Sequence, residues 1–545
     1  MKVVRHLALV LVLAYPANAQ DPLPIGSPIS GSIMGGESHR YTFAATAGDL
    51  VSGQAELLGP EGSVQFLDDA GNAIEGMTVR GFYLGGTAGR RVGFVAPTSG
   101  TYQVRVAASG TQRGTYTLRL EKLTVAARMR GISVTPKEVS TSERIRQLSR
   151  DVQQGRTDAV NQFWREVTGK GPLVESVQGN DQDLLVTFLW RETFETHNVL
   201  VGWPMAAFRP DDYYMSRLPN TDVWYKTIRV RRGSRFSYVL TPNDRLEDSW
   251  FPRRLDPLNP RVSPEDPNST IDLSSVLETQ GAPDDTWFRS TPTKRGTVEQ
   301  KTFKSQLLKN EREMWVYTPP GYASPAGPYP VVVLFDGFTY VNAAWNNAPQ
   351  TLDNLINDGR IRPVVVCFLN AVNRQVEQGY AGADAYGDAI VRELLPLLRS
   401  TYAISAAARD TVIGGYSAGG LAASLIAFRH SDVFGTVLSQ SGAFRRLNRD
   451  GDEPNLIAQM YAVAARVPVR FYLETGLYEN VPSAGLPLHE LALDEGITAG
   501  NRHFRDVLIA KGYEVTYRET ATAHEPVHWR ATLADALMTL LKPVK

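Results

Sequence analysis

The sequence has little of three features that would each have indicated a special class of protein. Its 545 residues include a single cysteine, Cys367, so an internal disulfide is impossible and stability must come from hydrophobic cores. Lysine plus arginine equals aspartate plus glutamate, at 57 each, and no basic stripe indicates nucleic-acid binding. Beyond the N-terminus, no run is long and apolar enough for a membrane-spanning helix. We therefore expect a protein of about two to four domains that does not span a membrane.

The N-terminus has the pattern of a secretory signal peptide. Lys2 and Arg5 precede an apolar run at residues 7–15, and the small residues at 17–19 form a typical cleavage site. The apolar run is too short to span a bilayer. We predict a signal peptide over residues 1–19 and an exported mature protein.

Two β-rich regions follow. Residues 21–125 contain short segments that alternate apolar and polar side chains, as at 101–106, with turn sequences between them, which predicts a β-sandwich. Residues 137–250 begin with apolar residues at helical spacing and continue with strand patterns such as 184–191. This pattern predicts a helix followed by a second β-sandwich. The next stretch, 251–289, is rich in proline and aspartate, which predicts a linker.

From residue 290 to residue 545, predicted strands alternate with predicted helices. The segment 331–335 is apolar at every position, as strands buried on both faces of a parallel sheet are. Alternating strands and helices with short loops predict a doubly wound, mostly parallel sheet. The fold class we expect is therefore an α/β domain preceded by two β-sandwich domains.

The sequence Gly-Tyr-Ser-Ala-Gly at 415–419 lies between a predicted strand and a predicted helix of this region. G-x-S-x-G in this context is typical of the nucleophile elbow of α/β-hydrolases. Glycines allow the turn to close tightly, and a serine at the helix N-terminus has free N–H groups nearby for a developing oxyanion. We therefore predict an α/β-hydrolase catalytic domain with Ser417 as the nucleophile.

The α/β-hydrolase fold orders its catalytic residues as serine, acid and histidine along the chain. His524 follows the last predicted strand, in a loop before the final helix, so we expect it to be the general base. His528 is the alternative. The acid should follow the strand at 469–473, which leaves Glu479 as the first choice and Glu474 as the second.

The oxyanion of an acyl-transfer reaction needs N–H donors, and two are expected here. One should come from Ala418, directly after the nucleophile. The loop that follows the strand at 331–335 supplies the other in this fold. We predict the N–H of Phe338, with Gly337 next.

The residues from His524 to His528 also match H-E-x-x-H, the signature of zinc proteases. That chemistry needs both imidazoles on one face of a continuous helix. Pro526 lies inside the motif and disfavours a helical conformation at the residue before it. We therefore expect no metal and no other cofactor.

From about residue 140 to residue 545, the chain resembles the enterochelin (enterobactin) esterase family. The segments VTFLWR, NVLVGWP, REMWVYTPPGY, GYSAGGLAA, FGTVLSQSG, ETGLYE and ETATAHEPVHWR occur here in the family's order. The resemblance implies a triad of Ser417, Glu479 and His524. It also implies a small-molecule ester substrate, the trilactone of catecholate siderophores, free or iron-loaded. Feruloyl and acetyl esterases of plant polysaccharide share the catalytic domain, and their activity is the alternative.

Two further expectations follow from resemblance. The segments YTF, AGD, FVAPTSGTYQVRV and GTYTLRL occur in this order within residues 21–125 and resemble the bacterial pre-peptidase C-terminal domain, an accessory β-domain of exported enzymes. The family's cytoplasmic members lack a signal peptide. Because this chain has a predicted one, we expect it to act in the periplasm.

The chain departs from the family pattern where the substrate pocket is expected. The motif at 374–378 differs from the family's, and Arg445 and Arg446 follow SQSG where aromatic residues are usual. Since ferric triscatecholates are strongly anionic, we expect Arg374, Arg445 and Arg446 to help bind the substrate. Trp529 matches the end of the family motif and is placed in the same group.

Overall fold

The computed structural model describes most of the chain from residue 21 onward. The described residues are 21–58, 62–74, 90–108, 113–130, 140–202, 214–244, 254–263, 273–445, 455–479 and 496–543. The predicted signal peptide at 1–19 and the predicted substrate contact Arg446 lie outside them.

The first domain is a sandwich of two four-stranded sheets. Its strands are β1 (Asp21–Pro22), β2 (Ile29–Met34), β3 (Ser38–Ala45), β4 (Leu50–Leu58), β5 (Gly62–Leu67), β6 (Arg90–Val95), β7 (Gly100–Ala108) and β8 (Arg113–Leu123), and the short helix α1 (Val125–Arg128) follows them. The sheet orders are β1-β3-β7-β5 and β2-β8-β4-β6. Tyr116, Leu118 and Leu120 of β8 are buried, and the residues between them are exposed. They join a core that includes Phe66 and Phe94, whose ring centroids are 4.8 Å apart.

The second domain is also a two-sheet sandwich, with helices packed against one sheet. Its elements are α2 (Glu143–Gln153), α3 (Ala159–Val167), β9 (Leu173–Val177), β10 (Asn180–Arg191), β11 (Val199–Gly202), β12 (Ser216–Arg217), β13 (Val223–Arg231), β14 (Arg235–Pro242), β15 (Val262–Ser263) and β16 (Ser274–Glu278). The sheet orders are β12-β13-β10-β9 and β11-β14-β16-β15. Leu148 and Phe163 of the helices pack with Leu189 and Tyr225 of the sheet that contains β10 and β13.

The described parts of the stretch 251–289, residues 254–263 and 273–289, are not a linker, contrary to our prediction. Within it, β16 pairs antiparallel with β14, and its residues Val276 and Leu277 are buried in the sandwich. The stretch ends in the helix α4 (Thr286–Arg289), whose Phe288 carbonyl accepts a hydrogen bond of 2.6 Å from Gln350 of the next domain. A short strand that pairs with distant residues leaves only a weak local pattern, and the flanking prolines and aspartates conceal it.

The third domain is built around one eight-stranded sheet. Its strands are β17 (Thr297–Ser305), β18 (Asn310–Thr318), β19 (Val331–Phe335), β20 (Val365–Leu369), β21 (Thr411–Tyr416), β22 (Thr436–Gln440), β23 (Arg470–Gly476) and β24 (Val515–Thr520). Its helices are α5 (Gly337–Val341), α6 (Ala348–Asn357), α7 (Arg374–Glu377), α8 (Ala383–Ala389), α9 (Leu395–Thr401), α10 (Ala418–Arg429), α11 (Leu456–Val463), α12 (Gly496–Ala510) and α13 (Pro526–Leu540), with 3₁₀ turns at Ser324–Ala326 and Ala408–Asp410. The strand order is β17-β18-β20-β19-β21-β22-β23-β24. Pairing is antiparallel from β17 to β20 and parallel from β20 to β24, so the predicted mostly parallel sheet is confirmed.

The central strands of this sheet are buried on both faces. In β19, Val331 and Val333 belong to the core on one face, whereas Val332 and Leu334 belong to the core on the other. Cys367 of β20 is 0% exposed, and burial raises the pKa of its thiol to about 12. The continuous apolar runs in the sequence therefore correspond to two-sided burial.

The helix predicted at 385–395 contains a π-helical turn, and Pro396 does not end it. α8 passes into a π-helical turn at Ile390–Leu394, and α9 begins directly after it. Pro396 lies in the first turn of α9, a position that tolerates the missing N–H. In the part of the chain that the structure describes, no helix is long and apolar enough to cross a membrane.

The second sandwich shares its core with two loops of the third domain. Tyr478, Ala521 and Ala523 belong to the same buried cluster as Phe236 and Leu240 of β14. The Tyr478 ring meets the Phe236 ring edge-on, with centroids 5.5 Å apart. These loops follow β23 and β24, at the edge of the sheet where the parallel strands end.

Hydrogen bonds reinforce this contact. The Tyr478 hydroxyl accepts from the N–H of Arg231 at 2.9 Å and lies 2.6 Å from the hydroxyl of Ser234. The N–H of Arg235 donates to the Ala521 carbonyl at 2.9 Å. We call this contact the seam. It joins residues 231–237 of the second sandwich to residue 478 and residues 521–525 of the catalytic loops.

Candidate active site

Ser417 forms the sharp turn between β21 and α10. Its backbone has φ 55° and ψ −120°, a conformation that is costly for a residue with a Cβ. Gly415 permits the close approach, because a Cβ there would lie 3.1 Å from the backbone of Gly419. The N–H of Ser417 donates to the Gln440 carbonyl at 2.9 Å, which ties the turn to β22. The serine is thereby held at the end of a central strand and at the N-terminus of a helix.

His524 and Glu479 meet beyond the ends of two neighbouring strands, β23 and β24. Nδ1 of His524 lies 3.2 Å from Oε2 of Glu479. An ionised carboxylate can only accept hydrogen bonds, so Nδ1 carries the hydrogen and Nε2 is the basic nitrogen. The His524 side chain is 35% exposed, whereas that of Glu479 is 0% exposed. A partly exposed imidazole is thus held by a buried carboxylate.

Hydrogen bonds fix the other oxygen of Glu479. Oε1 accepts from the N–H of Gly476 at 2.9 Å and from the hydroxyl of Ser441 at 2.7 Å. Burial opposes ionisation of Glu479, but hydrogen bonds from His524 and His528 lower its pKa to about 2. The carboxylate is therefore charged at neutral pH.

Glu474 and His528, our second choices for acid and base, lie deeper in the protein. Glu474 accepts a hydrogen bond from Gln440 Nε2 at 2.7 Å, and burial raises the pKa of its carboxyl. His528 is 0% exposed, with Nδ1 3.1 Å from Glu479 Oε1 and Nε2 3.7 Å from Glu474 Oε1. A base that takes the serine proton must reach the substrate side of the site, so the geometry favours His524.

The H-E-x-x-H sequence does not form one helical face. α13 begins at Pro526, so His524 precedes the helix and His528 lies in its first turn. Both Nδ1 atoms are directed at Glu479. Within the described residues, no group of three or more histidine, cysteine, aspartate or glutamate side chains could hold a metal ion.

The predicted oxyanion donors differ in availability. Ala418 is the first residue of α10, and the first N–H groups of an α-helix have no acceptor within that helix. The N–H of Phe338, which we predicted as the second donor, instead donates to Oδ1 of Asn370 at 2.9 Å. This leaves Gly337, the first residue of α5, as the donor from this loop. Glycine is required there, since a Cβ would lie 2.5 Å from the backbone of Phe368.

Arg374 forms an ion pair beside the elbow. Its Nη2 donates to Oδ2 of Asp336 at 2.8 Å, and its Nε donates to Oδ1 at 2.9 Å. Gln378 also donates to Asp336, at 2.9 Å. The guanidinium lies 5.6 Å from the ring centroid of Tyr416, the residue before Ser417. The positive charge of Arg374 is therefore matched by Asp336, although the side chain is 36% exposed.

The other predicted substrate-binding residues have different surroundings. Arg445 is half-buried and lies against Gly500 of α12. Trp529 is 5% exposed, stacks on Tyr416 with centroids 4.1 Å apart, and meets the His524 ring edge-on at 5.1 Å. Trp529 thus supports the rings of His524 and Tyr416, and it presents little surface to a substrate.

Ser441 is a site residue that our sequence reasoning missed. It follows β22 with φ 53°, accepts a hydrogen bond from Trp529 Nε1 at 2.9 Å, and donates to Glu479. It therefore connects the indole of Trp529 to the carboxylate of Glu479. A signal existed, because Ser441 directly follows a buried parallel strand, and side chains at such strand ends line the ligand crevice of open α/β sheets.

Two protein-family models match the chain. Residues 185–288 match "Enterochelin esterase, N-terminal", and residues 305–540 match "Putative esterase". The first range covers strands of the second sandwich through β16, and the second covers the catalytic sheet. The chain belongs to the enterochelin esterase family. It is therefore an esterase-family hydrolase, as its motifs predicted.

Relatives in this family are distant in sequence and match over most of their length. An Iron(III) enterobactin esterase from Escherichia coli is 25% identical over 397 residues, covering 67% of this chain and 93% of that protein. The Iron(III) enterobactin esterase of Dickeya dadantii is 25% identical over 421 residues, covering 70% and 92%. An Iron(III) salmochelin esterase from Escherichia coli is 28% identical over 316 residues, covering 54% and 75%.

Solved structures of enterochelin esterases share the fold. The ferric enterobactin esterase of Salmonella typhimurium aligns with a TM-score of 0.55 at 24% identity, covering 70% of this chain and 98% of that one. The Shigella flexneri enterobactin esterase, crystallised in the presence of enterobactin, gives 0.54 at 24% identity, covering 69% and 97%. Enterochelin esterases thus share the arrangement of a β-sheet domain before a mostly parallel α/β sheet.

Proposed function

We propose that this protein is a serine esterase that hydrolyses the trilactone ester bonds of catecholate siderophores such as enterobactin, free or iron-loaded. The observation that carries the proposal is the contact of His524 with the buried, ionised Glu479 at the sheet edge that also bears Ser417. The substrate class is suggested by relatives whose names are Iron(III) enterobactin esterase and Iron(III) salmochelin esterase.

In the acylation step, Nε2 of His524 takes the proton of Ser417 while the serine oxygen attacks the ester carbonyl carbon. Glu479 stabilises the imidazolium through Nδ1. The N–H groups of Ala418 and Gly337 bind the oxyanion. As the tetrahedral intermediate collapses, the carbon–oxygen ester bond breaks and His524 gives its proton to the leaving alcohol.

In the deacylation step, His524 takes a proton from water, and the resulting hydroxide attacks the acyl carbon. The bond to Ser417 then breaks, and the proton returns to the serine oxygen. The products are the linear carboxylate and the free enzyme. Each turn of this cycle opens one ester bond of a cyclic substrate.

Arginines near the elbow are proposed to hold the anionic catecholates. Asp336 fixes one edge of Arg374, so the substrate would meet its guanidinium as an oriented donor rather than a mobile charge. Arg445 lies shortly after β22 and is proposed to extend this surface, together with Arg446, the next residue in the sequence.

Two serine variants test the chemistry. Ser417→Ala is expected to abolish ester hydrolysis and labelling by a fluorophosphonate probe while the protein keeps its far-UV circular dichroism. Ser400→Ala, an exposed serine of the same domain, is the matched control and should retain both activities. A wild-type protein that the probe does not label would reject the serine-esterase mechanism.

A substrate panel separates the siderophore activity from its alternative. Ferric and iron-free trilactone siderophores would be compared with methyl ferulate and acetylated xylan by chromatography of the products. Hydrolysis of the trilactones supports the proposal. Hydrolysis of the ferulate or acetyl esters alone would reject it in favour of a polysaccharide-directed esterase.

We also propose that the enzyme acts in the periplasm after removal of residues 1–19. The basic residues, short apolar run and small cleavage-site residues of this segment support export. N-terminal sequencing of the protein recovered from a periplasmic extract should begin at Gln20. Recovery in the cytosol with Met1 or Lys2 at the N-terminus would contradict the proposal.

A further inference from the structure

Four side chains form a row from the protein surface into its core: His524, Glu479, His528 and Glu474. The successive nitrogen–oxygen distances are 3.2 Å, 3.1 Å and 3.7 Å. The outer two residues have roles in the proposed mechanism. The inner two are 0% and 1% exposed and have none so far. A buried histidine between two buried carboxylates is costly to assemble. Such a cost is expected only where the histidine affects the outer pair, His524 and Glu479.

The acceptors around His528 determine where its hydrogen lies. Nδ1 is 3.1 Å from Oε1 of Glu479 and 3.1 Å from the Ala523 carbonyl. Neither of these groups can donate, so Nδ1 carries the hydrogen. Nε2 then faces Glu474 at 3.7 Å and the hydroxyl of Thr520 at 3.4 Å. His528 is therefore oriented with its donor towards the proposed catalytic acid.

The row also controls the buried charge. Two neighbouring buried carboxylates do not both stay ionised without a cation beside them. Burial raises the pKa of Glu474. Burial alone would lower the pKa of His528, but its contacts with Glu479 and Glu474 outweigh this effect and raise it. One additional proton, on either Nε2 of His528 or the Glu474 carboxylate, cancels the second negative charge of this group. Glu525, held by the N–H of Ser237, is a further titratable group whose charge acts on His528.

We propose that His528 is a positioning residue of this esterase. Its Nδ1–H fixes Oε1 of Glu479, so that Oε2 is presented to His524, and its pairing with Glu474 leaves a single negative charge in the buried network. The inference rests on the function proposed above and deepens it. His528 acts through Glu479 and does not touch the reacting atoms.

Three variants of the full-length protein test this role. His528→Leu removes both nitrogens, His528→Asn keeps an N–H near the position of Nδ1, and His503→Asn removes an exposed histidine of α12 as the control. The readout is kcat on p-nitrophenyl acetate divided by the number of serines that fluorophosphonate labels. This ratio excludes molecules that fail to fold.

The expected result is a loss of kcat without a matching change in KM. His528→Leu should lower kcat per labelled serine at least about tenfold, with KM within about twofold of wild type. The reason is that a displaced Glu479 would no longer hold His524 in the position for proton transfer. His528→Asn should recover a large part of the loss. In His528→Leu, the acidic limb of the kcat–pH profile should move to higher pH, because the Glu479 carboxylate loses one donor and interacts more strongly with protonated His524, the form that cannot take the serine proton.

Several results would overturn the inference. Wild-type kcat per labelled serine with a wild-type pH profile in His528→Leu would do so, even at low yield. Equal losses in His528→Leu and His528→Asn would deny the donor role of Nδ1. A wild-type protein that neither turns over the ester nor labels at Ser417 would instead remove the proposed function, and the inference with it.

Discussion

The two β-sandwiches of this chain are built alike but relate differently to the active site. The first closes its own core, in which Phe66 and Phe94 pack among residues of its own strands. The second leaves its core open on one side, and Tyr478 and Ala521 of the catalytic loops complete it. Leu50 and Val95 of the first sandwich also belong to this shared cluster.

The shared core lies directly beside the proposed acid and base. Tyr478 precedes Glu479, and Ala523 precedes His524, so both loops are anchored one residue away from the triad. A site is held accurately only when the elements that support it are themselves packed. The second sandwich is therefore part of the catalytic framework, whereas the first is connected to the site through the second.

The largest expected difference is between Phe236→Ala and Phe94→Ala, two phenylalanines that are each 0% exposed. Each truncation should cost about 3–5 kcal/mol of local stability, because it leaves a cavity in a packed core. Only Phe236→Ala should also lower kcat per labelled serine, by about tenfold, since its ring supports Tyr478. Urea unfolding and active-site titration measure the two effects. Equal kcat in both variants would show that the seam does not hold the loops.

Two ion pairs give the next largest contrast. Arg235 is 3% exposed, donates to Glu278 at 2.9 Å and lies 3.3 Å from Asp285. Arg235→Ala should cost about 3 kcal/mol, because both carboxylates lose a buried partner and keep mainly half-exposed arginines. Arg119 pairs with Glu121 on the surface of the first sandwich, where both side chains are more than half exposed. Arg119→Ala should cost less than about 0.5 kcal/mol. Similar losses of unfolding free energy in the two variants would contradict this contrast.

Removing one hydroxyl from each sandwich should have smaller effects. Tyr478→Phe loses the bonds to Arg231 and Ser234, which should cost about 1–3 kcal/mol and lower kcat a few-fold. Tyr102→Phe in the first sandwich loses a bond of 2.5 Å to the Thr98 carbonyl. Its stability should fall by a similar amount while kcat per labelled serine stays at the wild-type value. A drop in kcat for Tyr102→Phe would place the first sandwich in the framework as well.

The smallest expected effect is on how the free energy of unfolding depends on pH. Folding lowers the pKa of Glu479 from 4.5 to about 2, so this group stabilises the protein above pH 4.5 and loses its contribution as the pH falls towards 2. Glu474 and Glu525, whose pKa values burial raises, act in the opposite direction. Glu479→Gln should therefore show a weaker fall of unfolding free energy between about pH 5 and pH 3 than the wild type. Identical pH slopes would mean that Glu479 is not held as a buried carboxylate.

Much of the catalytic domain could be predicted because its signals are local. The apolar run at 331–335 specifies a strand buried on both faces, and the glycines at 415–419 specify a turn that few other residues allow. The position of His524 after the last strand follows from chain order alone. The alternating segments at 101–106 likewise predict a half-buried strand without knowledge of its partners.

The rest depends on which distant residues meet. The strand Ser274–Glu278 exists because β14 offers it a free edge, and no local pattern records that partner. The N–H of Phe338 is taken by Asn370 from the end of an adjacent strand, which chain order does not reveal. His528 sits in a sequence that would suit an exposed first helical turn. Its burial follows from the packing of α13 against the sheet.

The lone cysteine is a built-in probe of the opening of the catalytic domain. Cys367 lies in β20 between β18 and β19, and its thiol reacts with alkylating reagents only as the thiolate. With no exposed surface and a pKa of about 12, it becomes reactive only when the central sheet opens. Neither sandwich sequence contains a cysteine. The rate of alkylation therefore measures how often the catalytic domain alone opens, without any engineered label.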